Sequence, residues 1–170
     1  MNFRDAVQQF GQRFRQIGIG CLALLLLWGL WARPTVAAEY NKEILRDRDF
    51  SSQDLTGDSF TKADLKGSNF SGSDLTGVSF FAANLQDANL EGANFSFATL
   101  DSARFANANL TNAIFEGAFA YTAEFRGAIV DGADFTDAGL LSEAHDVLCQ
   151  AAQGTNPVTG RKTRDTLECD

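Results

Sequence analysis

From Phe50 to Leu140, every fifth residue is bulky and apolar, with a single exception. The register reads Phe50, Leu55, Phe60, Leu65, Phe70, Leu75, Phe80, Leu85, Leu90, Phe95, Leu100, Phe105, Leu110, Phe115, Ala120, Phe125, Val130, Phe135 and Leu140. Nineteen centres run without insertion or deletion, and only Ala120 is small. Two residues before the centres runs a second register: Ala63, Ala83, Ala88, Ala93, Ala98, Ala103, Ala108, Ala113, Ala118, Ala123, Ala128, Ala133 and Ala138.

A period of five fits neither ordinary element. On an α-helix five residues turn through about 500°, so successive centres wander around the axis and form no stripe. On a flat strand they alternate between faces. They all point inward only if the backbone bends after each group of five. The bent chain coils, and the coils stack about 4.8 Å apart, each offering its N–H and C=O groups to the next. Small residues are required near the bends, where the chain runs close to the interior.

The motifs "ADLKG", "SDLTG", "ANLQD", "ANLEG" and "ANFSF" at residues 63–97 resemble the pentapeptide-repeat family, whose pattern is Ala-(Asp/Asn)-Leu/Phe-x-x. The resemblance spans roughly residues 43–140. It implies an all-β solenoid, a right-handed quadrilateral β-helix of about 4.7 coils. Sorted onto four faces, Phe occupies one opposing pair in the first two coils and the pattern turns by one face from residue 90. Each layer then holds two rings and two aliphatic chains, a near-constant volume suited to a dense core. Ala120 breaks that volume and is expected to leave a gap on its face.

Residues 1–38 are set apart. Arg4, Arg13 and Arg15 precede an apolar run from Ile17 to Trp31, and Val36-Ala37-Ala38 offers small residues at a cleavage site. The order is that of a secretory signal peptide cut after Ala38. The repeat domain is then 39–140 and a C-terminal cap 141–170. Four basic residues and one acidic residue lie in the leader, so ten basic and twenty-one acidic remain, a net charge of −11. Such a surface favours solubility and disfavours nucleic acid and anionic lipid. Cys149 and Cys169 remain, and in an oxidising compartment they read as a disulfide. "SEAHDVLCQAAQG" reads as a capping helix with Ser142 as N-cap and Gly154 as stop. "EYNKEILRD" reads as a short helical first turn.

Nothing in the sequence points to catalysis, cofactor or metal. Ser142, His145 and Asp146 lie on one helical turn and cannot make a nucleophile–base–orienter triad. "GTNPVTGRKT" lacks the fixed ending and preceding strand of a phosphate loop. Asp54 and Asp74, one coil apart, read as a solvated ladder. His145 is the only histidine, which leaves a metal site short of ligands.

Binding is the better prospect. The Phe50 and Leu55 faces carry Asp49, Asp54, Asp74, Glu91, Glu116, Asp131 and Asp134, whereas Arg46, Lys66, Arg104 and Arg126 flank the Leu65 face, an electrically two-sided rod. Phe81, Phe97, Phe119 and Tyr121 stand outside the inward register as a candidate interaction strip, unless Phe119 turns in beside Ala120. The resemblance, with a leader and a disulfide cap, is to exported cyanobacterial members of the family, in the thylakoid lumen or periplasm. The resemblance does not supply a role for these members; the chain itself reads as a non-catalytic structural or interaction module with an unknown protein partner, no membrane contact after cleavage, and a monomer favoured over an oligomer. The alternative is the branch of DNA-mimicking, gyrase-protecting relatives, which export disfavours.

Overall fold

The computed structural model describes residues 37–170; the expected leader lies, apart from Ala37 and Ala38, outside the described residues. The chain winds in coils of twenty residues. Parallel bridges join Glu39 to Ser59, Ile44 to Asp64, Asp49 to Asn69 and Asp54 to Asp74, and continue in steps of five to Phe119 with Gly139. Four bends per coil make the section four-sided. The bridges are isolated, not runs of strand, because each five-residue side spends its remaining residues turning.

The bends share one plan. The carbonyl of a centre accepts the amide of the residue three ahead, as Ala63 N donates to Phe60 O at 3.0 Å and Ala103 N to Leu100 O at 2.9 Å. At every bend but that of Thr122 the third residue of the turn has positive φ, as at Gly67 (70°) and Gly92 (63°), which makes these type II turns. The alanine register is the fourth position of each turn, and its methyls are buried from Ala63 to Ala133, with Ala138 part-buried. Between coils, three amides in five bond along the axis, for example Phe60 N to Ser79 O, Lys62 N to Phe81 O and Asp64 N to Glu43 O, at 2.8 Å each.

The centres from Phe60 to Phe115 are fully enclosed. Tyr40, Phe60 and Phe80 stack in one column, 4.8 and 5.0 Å apart, and Phe50 and Phe70 stack opposite. The two columns meet edge to face, Phe60 against Phe70 at 88°. Above the shift of pattern, Phe95, Phe115 and Phe135 form one column and Phe105 and Phe125 the other. Ala120 is buried, yet Phe119 does not fill in beside it; its ring points outward.

The N-terminal stretch corrects the sequence expectation. Glu39 to Asp47 is not helical but the first coil, with bridges at Glu39 and Ile44 and turns between. Its residues tolerate a helix, but the ladder of the next coil claims its backbone, with Tyr40 N donating to Ser59 O and Leu45 N to Asp64 O. The C-terminal end is closed by α1 (Ser142–Ala151) and the short α2 (Thr163–Thr166). Ser142 is not the N-cap: Leu141 occupies that place, without a side-chain cap bond, and the helix stops at Ala152, ahead of Gly154.

α1 lays Ala144 and Leu148 on the last coil, and Leu167 joins them. Asn156, fully buried, donates to the carbonyls of Gly132 (2.9 Å) and Asn112 (3.1 Å) and accepts the amides of Val158 and Thr159. Arg161 pairs with Glu116 at 2.8 Å and with enclosed Asp134 at 3.3 Å. Cys149 and Cys169 are joined, their Cα atoms 5.7 Å apart.

Candidate functional site

Of the seven acidic residues on the Phe50 and Leu55 faces, Asp49, Asp54, Asp74 and Asp134 are occupied with their own turns. The residue before each centre faces out, and where it is Asp or Asn its oxygen takes the amide two residues on. Asp54 Oδ1 accepts Thr56 N–H at 3.1 Å and its hydroxyl at 2.8 Å; Asp74 does the same with Thr76. The Ser51 and Thr56 hydroxyls, then their amides, hold Asp49 and Asp54 below the ordinary carboxylate range. Asparagines link coils along the axis, with Asn69 donating to Asp49, Asn89 to Asn69 and Asn109 to Asn89. The second letter of the repeat is therefore structural: it caps a turn and ties two coils. Asp54 and Asp74 are a ladder of turn caps.

The electrically two-sided rod also needs correction. Arg46 pairs with Asp64 at 2.6 Å, Lys66 with Asp87 at 3.3 Å and Arg126 with Glu124 at 2.7 Å. Most cations of the Leu65 face therefore sit beside an anion, and the face carries little net charge. The sequence count missed this because Asp64, Asp87 and Glu124 lie in the bridge and turn registers of the same face.

The four aromatics outside the inward register all lie on the Phe60/Leu100/Ala120 face or its corners. Phe119 stands mid-face, Phe97 at the entering corner, and Phe81 and Tyr121 at the leaving corner. They are 60% (Phe97), 48% (Phe119), 48% (Tyr121) and 41% (Phe81) exposed. Phe81 and Tyr121 share one slot two coils apart, about 9.6 Å by strand spacing, with Asp101 in the slot between them. Phe97 has φ 58°, a left-handed conformation unusual for a bulky side chain. Its ring lies over Gly117, where a Cβ would come within 2.7 Å of the ring. Tyr121 covers Gly139 in the same manner. Two of the four exposed rings, Phe97 and Tyr121, thus rest on a glycine of the following coil.

The strip runs into a groove. After Leu140 the chain leaves the coil path to enter α1, so the last coil is uncovered beside the helix. A cleft of about 590 Å³ results, lined by Tyr121, Ala123, Phe125, Leu141, Ala144 and Val147 among others. Sequence reasoning missed this groove; the only signal for it was Leu141, an apolar residue where the repeat ends, which is half exposed. The same reasoning missed the surroundings of His145. Its Nε2 lies 2.6 Å from the Leu167 carbonyl oxygen and 3.7 Å from Cys149 Sγ. It is turned to the disulfide.

The family model for pentapeptide repeats matches residues 44–80, 79–117 and 103–140, with eight copies. Among solved structures, a pentapeptide repeat protein of the Arabidopsis thaliana thylakoid lumen is 33% identical, over 82% of this chain and 97% of that one, with a TM-score of 0.46. Rfr23, a pentapeptide repeat protein of the cyanobacterium Cyanothece 51142, is 24% identical over 60% of this chain and 85% of that one, with a TM-score of 0.58. A third, from Nostoc Pcc 7120, is 30% identical over 52% of this chain and 75% of that one, with a TM-score of 0.49. No curated protein matches the sequence. Among the described residues no helix is long and apolar enough to cross a membrane.

Proposed function

This chain belongs to the pentapeptide-repeat family, and from that premise we propose that it is a non-catalytic, exported interaction module with the right-handed coil of its relatives. The observation that carries the reading is the aromatic strip. Phe97 is held in a left-handed conformation with its ring exposed, which costs about 1–2 kcal/mol that glycine at the same turn position avoids. Exposed rings fixed against the backbone supply contact area at low entropy cost, and binding energy concentrates in such residues. The acidic faces keep the rod soluble and steer encounters. Export is supported by the leader pattern and by the lumenal source of the Arabidopsis relative.

Recovery of bound proteins on the immobilised full chain tests the reading. Phe81→Ser with Tyr121→Ser leaves the fold intact, since neither ring enters the core, and abolishes recovery of the main partner. Retention of that partner by the double variant, with loss on charge reversal at exposed Glu91 and Asp131, moves the docking site to the acidic face and ends the proposal.

A further inference from the structure

The C-terminal cap places three metal-binding side chains on one spot. His145 and Cys149 are four residues apart on α1 and share a face. The return of the tail through α2 brings Cys169 against them. The donor atoms of His145, Cys149 and Cys169 all lie within 4.8 Å of one another, and each residue is part-buried at the rim of the cap. In the disulfide form the sulfurs are bonded to each other and are poor ligands. We propose that two-electron reduction of Cys149–Cys169 converts the cap into a zinc-class metal site, with two thiolates and the His145 imidazole as protein ligands.

The imidazole is prepared for that role. The Leu167 carbonyl can only accept, so the ring nitrogen 2.6 Å away, Nε2, carries the hydrogen. In the neutral ring the lone pair is then on Nδ1, which lies 4.0 Å from Cys149 Sγ. A metal-bound histidine commonly donates its other N–H to a carbonyl or carboxylate, which fixes the ring and its tautomer. Here the Leu167 carbonyl accepts that bond from Nε2. Around one tetrahedral zinc ion, sulfur and nitrogen ligands stand roughly 3.5–3.8 Å apart, given Zn–S near 2.3 Å and Zn–N near 2.0 Å. The His145–Cys149 spacing is close to this already. The two sulfurs must separate, and a χ1 change at either cysteine does so. His145 is 37% exposed at its side chain, which leaves room for a water as fourth ligand, and Asp146 Oδ1 stands 3.7 Å from Nδ1.

The chemistry balances simply. A dithiol reductant gives two electrons and two protons to the S–S bond and leaves as its own disulfide. The two thiols formed lose their protons as Zn²⁺ binds, so two protons are released per ion. Oxidation reverses the order: the ion departs as the S–S bond forms. The cap is thereby clamped in both states, by a covalent bond in one and by a metal in the other.

The test uses the full chain in mild detergent, in a Cys21→Ser background so that only the cap cysteines report. One sample stays oxidised and one is reduced with a phosphine, which takes its oxygen from water. Co²⁺ is the first probe and Zn²⁺ the competitor. The reduced chain is expected to bind one Co²⁺ with a thiolate-to-cobalt charge-transfer band, to lose it to equimolar Zn²⁺, and to resist thiol alkylation while Zn²⁺ is present. The oxidised chain shows no band. His145→Ala, checked for fold in its oxidised form, is expected to weaken Zn²⁺ binding by at least ~10-fold; His145→Gln, which can still donate to Leu167, gives the same loss without disturbing the cap. Absence of the band in the reduced chain, or undiminished Zn²⁺ affinity in both His145 variants, overturns the proposal.

Discussion

Phe80 and Phe95 meet at 5.6 Å with their planes tilted by 59°, whereas the other ring contacts within the described core are stacked or close to edge-on. They are the rings of one layer on adjacent faces, not opposite ones. Below them the columns are Tyr40–Phe60–Phe80 and Phe50–Phe70; above them they are Phe95–Phe115–Phe135 and Phe105–Phe125. The core is two interlocked stacks joined by a quarter-turn seam.

Removing a ring within a stack leaves a hole that the ladders on either side prevent from closing. Phe105→Ala is expected to destabilise by about 3–5 kcal/mol, since Phe105 is enclosed, stacked on Phe125 and edge-on to Phe95 and Phe115. Ala103→Leu overfills a turn and costs about 1–3 kcal/mol. Chemical denaturation reads both, and melting like the parent in both variants removes the inward assignment of these registers.

Phe97 is expected to behave oppositely. Phe97→Gly relieves the left-handed backbone and loses only contact with Gly117 and solvent-facing area, so thermal stability stays within about 1 kcal/mol of the parent or rises. A loss as large as that of Phe105→Ala makes Phe97 a structural residue and withdraws it from the docking strip.

Asn156 joins cap to rod through a buried amide. Asn156→Leu keeps the volume but leaves the Gly132 carbonyl without a donor and the turn amides of Val158 and Thr159 without an acceptor. About 1–3 kcal/mol is the cost of each buried group so stranded. Hydrogen exchange is expected to speed up across residues 142–170 and to change little in the coils before residue 110. Uniform acceleration along the rod contradicts a cap that opens separately.

Acid acts on the same junction. Burial pushes the Asp134 carboxyl up, but hydrogen bonds from the Thr136 and Thr159 hydroxyls and the Thr136 amide, with the charge of Arg161, outweigh it and bring it below its ordinary value near 3.8. The unfolded chain therefore binds this proton at higher pH than the native one. Its contribution is complete above the unfolded value and is lost as pH falls through the native one. Thermal midpoints measured from pH 7 downward should drop below about pH 4, with a shallower drop in Asp134→Asn; identical slopes remove Asp134 from the acid response.

The rod was legible because its signal is local and redundant: each centre repeats the same steric instruction five residues later. The positive-φ turn position was legible too, in Gly67, Gly72, Gly77 and Gly92, although the sequence reading assigned the bends to the alanines alone. Lys62, Asp87 and Phe97 adopt the same φ and hide the pattern. The first coil was misread because Glu39–Asp47 carries helix-tolerant residues, and only the neighbouring coil decides otherwise. What joins Asn156 to Asn112, Arg161 to Glu116, and His145 to the Leu167 carbonyl depends on the route of a non-repeating tail. No local periodicity encodes that route.

The twenty-residue pitch sets what kinds of heritable change such a chain tolerates. Loss or gain of one residue between 60 and 115 throws every later centre out of the interior. Loss of five keeps all centres inward but turns everything beyond the deletion by a quarter circle. Phe119 and Tyr121 then point along a different side of the rod, with the core still filled. Lineages of this architecture can therefore re-aim a binding surface in ninety-degree steps, and the seam between Phe80 and Phe95 has the form of one such step already taken.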